Sequence, residues 1–90
     1  MKVRAHVWIS GDVQGVFFRS HIRSHAVLRE IRGWAKNLID GRLEAVFEGK
    51  KENVDEILRF CSEGPVGAKV DNTEVKWEKP TSGFRDFQVR

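Results

Sequence analysis

One cysteine, Cys61, stands alone in the chain, so no disulfide can form within it, and nothing points to an oxidising compartment. No apolar run approaches the roughly 20 residues needed to span a bilayer. The opening MKVRAHVWIS alternates apolar and polar residues where a secretory signal would build a continuous apolar block. No repeat, linker or low-complexity segment interrupts the 90 residues. Neither sign of charge dominates: 16 Lys and Arg stand against 13 Asp and Glu, for a net charge of +3. The basic residues are scattered among acids and form no block of the kind that marks a nucleic-acid tail. A mild positive balance favours anionic partners without naming one. These absences lead to the expectation of a single soluble, cytoplasmic domain over residues 1–90, monomeric, with no membrane or nucleic-acid partner. A chain of this size buries about 60–65% of the surface its unfolded form exposes, enough for one small core.

Hydrophobic periodicity supplies the elements. Val3, Ala5, Val7 and Ile9 share one face of residues 2–10, and Arg4, His6, Trp8 and Ser10 the other; period two predicts a half-buried strand. Gly11 to Gly15 are expected to break it. From Phe18 the spacing of Phe18, Ile22, His25 and Ala26, continued by Val27 or Leu28, is helical. WAKNLI (34–39) and RLEAVFEG (42–49) flank Asp40-Gly41, a hairpin signal. Val54, Ile57, Leu58 and Cys61 recur at i, i+3, i+4 and i+7 in a second helix that Gly64 and Pro65 stop. A strand through Thr73, Val75 and Trp77 follows. Pro80 to Gly83 punctuate, and Phe87 and Val89 suggest a short final strand. The order β-α-β-β-α-β with an extra strand is α+β, the ferredoxin-like sandwich with two helices on one face of an antiparallel-dominated sheet. That fold decides nothing about activity by itself.

The stretch GDVQGVFFRS, Gly11 to Ser20, is the most informative. It joins a strand to a helix through two glycines and places Arg19 in the first helical turn. Free N–H groups and the helix dipole make that end positive, so a cation there runs against the dipole. A bound anion such as phosphate would account for it, since a guanidinium fork matches its oxygens. The alternative is a plain strand-to-helix turn with a surface arginine, and spacing alone leaves both open.

GDVQGVFFR resembles the G-x-V-Q-G-V-x-F-R signature of the acylphosphatase family, and GWAKNLIDGRLEAVFEG, Gly33 to Gly49, resembles its second signature, G-W-V-x-N-x-x-D-G-x-V-E-x-x-x-E-G. GPVGAKV and the closing FRDFQVR are also similar to the family's C-terminal half, so the resemblance covers essentially the whole chain. It implies a ferredoxin-like sandwich that hydrolyses the carboxyl-phosphate bond of small acylphosphates to a carboxylate and inorganic phosphate. It implies a phosphate cradle of backbone N–H groups on Gly11, Asp12, Val13, Gln14, Gly15, Val16 and Phe17. The family's essential arginine falls on Arg19, and its water-positioning asparagine on Asn37. No metal or other cofactor and no phospho-enzyme are implied. The chemistry suits so sparse a site: a carboxylate leaves readily, and phosphoryl transfer asks mainly for positioning and charge stabilisation.

Other features are weighed against this reading. His21 and His25 have the i, i+4 spacing of a metal pair but no third ligand nearby in sequence, and are expected to be helix-surface histidines. Cys61 lies on the apolar stripe of its helix and reads as a buried thiol. Trp8, Phe17, Phe18, Trp34 and Trp77 raise a different class of function, a non-catalytic anion- or RNA-binding module that stacks bases on sheet aromatics, although the aromatic ribonucleoprotein signature is absent. One departure from the family pattern stands out: Arg29-Glu30-Ile31 replaces a segment whose glycine ends the first helix. Glu30 is therefore expected to carry the left-handed conformation such a glycine takes, and Leu28 or Phe47 to fill the space left by Arg29.

Overall fold

The computed structural model describes all residues, Met1 to Arg90. Five strands and two helices follow in the order β1 (Lys2–Asp12), α1 (Phe18–Leu28), β2 (Arg32–Asn37), β3 (Leu43–Lys50), α2 (Lys51–Glu63), β4 (Lys69–Glu78) and β5 (Phe87–Val89). The sheet order is β4-β1-β3-β2-β5. Every pairing is antiparallel except that of β5, which runs parallel to β2. This is the ferredoxin-like sandwich with an added edge strand.

The alternation in β1 does what its period demands. Ala5, Val7 and Ile9 are fully buried against Leu43, Ala45 and Phe47 of β3 and the apolar faces of both helices. Phe18, Ile22 and Ala26 supply the α1 stripe, and Val54, Ile57 and Cys61 that of α2. Burial raises the pKa of the Cys61 thiol far above its ordinary value, which keeps it protonated. Leu28 fills no gap, being 78% exposed; Phe47 is buried in the core, stacked on Phe87 of β5 at 5.7 Å.

The end of α1 is a Schellman motif. The Ile31 N–H reaches the Ala26 carbonyl at 2.8 Å and the Glu30 N–H the Val27 carbonyl at 3.2 Å. Glu30 occupies the turning position at φ 55, and Ala26 and Ile31 are both in the core. The expected left-handed residue is thus a glutamate.

The outer sheet face is roofed in part by the segment after β4. Glu48 is only 3% exposed. It accepts hydrogen bonds from the Thr81 and Ser82 N–H groups at 3.2 and 2.6 Å, with Lys2 at 3.6 Å and Arg4 at 3.9 Å. Two hydrogen-bond donors and two nearby cations compensate its burial. Further along the face, His6 lies against Trp8 at 4.1 Å and between two carboxylates, Glu78 at 3.0 Å and Glu44 at 2.7 Å.

Candidate active site

β1 does not stop where the glycines begin. It continues through Gly11 and Asp12, which pair with Val70 and Lys69 of β4 after a register shift between Ser10 and Gly11. These two residues were expected in the loop and are instead strand residues. The bulge explains the difference: Gly11 has φ 126, and a Cβ there would overlap the Lys69 carbonyl, so only glycine lets the two backbones close. The connecting loop is therefore short, Val13 to Phe17.

That loop sets up the start of α1. Phe17 is the residue before the helix, at φ 58 and ψ 25, and its carbonyl accepts the His21 N–H at 3.0 Å. No side chain caps this end, and no acidic residue occupies the first turn. The N–H groups of Phe18, Arg19 and Ser20 therefore have no intrahelical acceptor and stand at the positive end of the dipole. A left-handed, bulky residue costs roughly 1–2 kcal/mol, so the loop geometry is held by its surroundings.

One tie is visible. The Gln14 side-chain amide donates to the Leu38 carbonyl at 2.8 Å and to the Arg42 carbonyl at 3.1 Å. Both carbonyls belong to the β2–β3 turn, which follows Asn37 directly. The turn is itself fixed: Arg42 donates from its backbone N–H to Asp40 at 3.1 Å and from Nε at 2.9 Å. Those hydrogen bonds, the backbone one foremost, hold the Asp40 carboxyl below its usual pKa. Gln14 thus fastens the loop before α1 to the end of β2, the two places from which Arg19 and Asn37 project.

A pocket of about 170 Å³ lies between them. Val13, Gly15 and Phe17 line it from the loop, Phe18, Arg19 and Ser20 from the first turn of α1, and Asn37 from β2. Of the residues singled out in the sequence, the structure brings together Val13, Gly15, Phe17, Arg19 and Asn37. Gly11, Asp12, Gln14 and Val16 do not line the pocket. Arg19 is half-buried, and its Nη1 donates to the backbone carbonyl of Arg90 at 2.6 Å. Arg90 is held in turn by its own N–H to the Ala35 carbonyl at 2.8 Å and by its guanidinium over Trp34 at 5.0 Å. Sequence reasoning missed this support, because no motif links two arginines separated by nearly the whole chain.

His21 and His25 lie outside the pocket. His25 stacks on Phe60 at 4.1 Å, and burial, followed by the charges of Arg29 and His21, lowers its pKa. No three His, Cys, Asp or Glu side chains converge as metal ligands would.

The fold is a ferredoxin-like sandwich, and an uncapped helix start, a glycine-bearing turn and a guanidinium around one small pocket are the elements from which anion sites are built. The comparisons with known proteins narrow the class. The acylphosphatase family model matches residues 5–89. The acylphosphatase of Chloroflexus aurantiacus is 52% identical over 97% of this chain and 95% of its own length. That of Rubrobacter xylanophilus is 51% identical over 97% and 79%. Among solved structures, the acylphosphatase of Bacillus subtilis superposes with a TM-score of 0.93 at 28% identity, covering 98% of both chains. The chain belongs to the acylphosphatase family and is a hydrolase of acylphosphates.

Proposed function

We propose that the pocket at the start of α1 is where the acylphosphate reacts, and that the residues around it divide the work. The loop Val13 to Phe17, which follows the Gly11 bulge, shapes the cradle, with the N–H groups around Gly15 and the start of α1 directed at the phosphoryl oxygens. Arg19 supplies a fixed positive charge and a planar fork of donors for the charge that builds up in the transition state. Asn37 can accept from a water and donate to a phosphoryl oxygen, so it holds the nucleophile in line. The water oxygen forms the new P–O bond, the bond from phosphorus to the acyl oxygen breaks, and the carboxylate leaves with its electrons. The water's proton ends on the released phosphate. This scheme needs no metal, other cofactor or phospho-enzyme. The enzyme works as one cytoplasmic, monomeric domain on small-molecule acylphosphates, without nucleic acid.

The observation that carries the reading is the convergence of Arg19, Asn37 and the uncapped start of α1 on one pocket of about 170 Å³. Arg19→Ala tests it, with benzoyl phosphate as substrate and inorganic phosphate as competitor. Turnover is expected to fall by at least about 10²-fold, the scale seen when a preorganised donor is lost, and the phosphate inhibition constant to rise steeply. Phosphate inhibition at the parent level would refute the assignment. Arg19→Lys is also expected to be poor, because a point charge does not reproduce the fork.

A further inference from the structure

The pocket at the start of α1 is small. At about 170 Å³ it falls below the roughly 300–1,000 Å³ of sites that enclose a drug-sized ligand. With a phosphoryl group in it, a sizeable acyl group would lie across the rim. Three large apolar side chains line the pocket. Val13 and Phe18 are buried in the core; Phe17 is 79% exposed.

Phe17 is unusual in a second respect. Its backbone sits at φ 58, where a bulky side chain is strained. Glycine would fit that backbone without penalty. Folding gains little from the ring either, since most of it stays in water. A strained backbone carrying an exposed aromatic ring at the edge of the pocket is thus unexplained by the stability of the free protein.

We infer that the Phe17 ring is the acyl-recognition surface of the enzyme, and that it favours acylphosphates with an aromatic or bulky apolar acyl group over short aliphatic ones. The inference rests on the pocket's being the phosphate site. With the phosphoryl group in the cradle, the acyl group lies against the ring and both lose apolar surface to water. This contact exists in the ground state and the transition state alike, so it acts mainly on KM and little on kcat. One aromatic pair with its burial corresponds to about a tenfold preference, or about 1.4 kcal/mol.

The test uses benzoyl phosphate and acetyl phosphate as substrates and inorganic phosphate as inhibitor. In Phe17→Ala and Phe17→Gly, the ratio of kcat/KM for benzoyl over acetyl phosphate is expected to fall about tenfold, mostly through a higher KM for benzoyl phosphate. Phe17→Leu should fall between these variants and the parent. Phe17→Gly should also melt at a higher temperature than the parent, so a lower ratio there cannot come from a damaged fold. An unchanged ratio in both truncations overturns the inference. So does a parallel loss on both substrates with a higher phosphate inhibition constant, which would show that the side chain matters only through the cradle backbone. The phosphate-site reading fails by a separate result: if Arg19→Ala keeps its phosphate inhibition, the pocket is not the phosphate site and the inference falls with it.

Discussion

Replacing Glu30 with glycine should make the protein more stable. Glu30 turns the chain at the end of α1 at φ 55, a conformation that costs an ordinary L-residue roughly 1–2 kcal/mol. Its side chain is exposed and takes part in none of the ion pairs or side-chain hydrogen bonds of the fold. A negative charge at a helix C-terminus is also on the wrong side of the dipole. Against these gains, glycine makes the unfolded chain more flexible, which costs about 0.4–1 kcal/mol. The net gain is about 0.5–1 kcal/mol, since the two Schellman hydrogen bonds are backbone bonds that survive the change. For a domain of this size that raises Tm by about 2–8 °C and the urea midpoint by about 0.2–1 M. Two companions separate the causes. Glu30→Asn should recover part of the gain, because asparagine tolerates the left-handed region. Glu30→Gln removes the charge while leaving the strain, so it should move Tm little. Thermal and urea denaturation of the four proteins provide the assay. A glycine variant less stable than the parent, or a glutamine variant as stable as the glycine one, would refute the reasoning. Turnover of acylphosphate should be unchanged in Glu30→Gly, because this helix end lies opposite the one that lines the pocket.

Other expectations follow from the site and the sheet. Asn37→Ala should lower kcat by about 10²-fold or more while leaving the phosphate inhibition constant near the parent value; loss of both together would make Asn37 part of the anion cradle. Turnover should persist after exhaustive chelation and dialysis; its complete loss, with recovery on adding zinc or magnesium, would contradict the proposed metal-free route. Glu78 has its pKa lowered from 4.5, chiefly by the hydrogen bond from His6, with the charges of His6, Arg4 and Lys76 adding to it. A carboxylate depressed in the folded state stabilises the fold above its unfolded pKa, and that contribution is lost as pH falls through the lowered value. The urea midpoint should therefore drop as pH falls below about 4.5, and Glu78→Gln should shrink the drop; an equal drop in the variant would remove Glu78 from the account.

Much of this molecule is legible in its sequence where structure is decided locally. The alternation of Val3 to Ile9 specifies a one-sided strand, and the stripe of Val54, Ile57 and Cys61 specifies α2, because side-chain period and burial are coupled within a few residues. Glu30 was legible too: a Schellman end needs a left-handed residue two positions beyond the last helical one, whatever its side chain. The features that local pattern does not decide depend on distant neighbours. Gly11 and Asp12 read as loop, since glycine ends an alternation, yet β4 extends the pairing through a bulge that only glycine fits. Glu48 lies on a strand face that the alternation makes polar, but the turn at Thr81 and Ser82 folds over it and supplies its donors. In the candidate site, the first-turn cation pointed to Arg19 before the resemblance did, and Asn37 was pointed to by resemblance alone. The Gln14 clamp and the Arg90 carbonyl were out of reach, as both are tertiary contacts with no sequence spacing of their own.

The Arg19–Arg90 hydrogen bond joins residues 71 positions apart and depends on β5, a strand of three residues with one neighbour and a single buried side chain, Phe87. Closing so long a loop comes late in folding, because the chain entropy it costs is recovered only after the sheet is in place. Short edge strands are also among the first parts of a native protein to open. The guanidinium is therefore aligned at the final step of assembly and released at the first step of disassembly. Opening of β5 alone would leave the core of β1, β3, α1 and α2 intact and the arginine without its Arg90 anchor. During refolding, the return of turnover should lag behind the return of helical circular dichroism, and enzyme activity becomes a clock for the docking of the last strand.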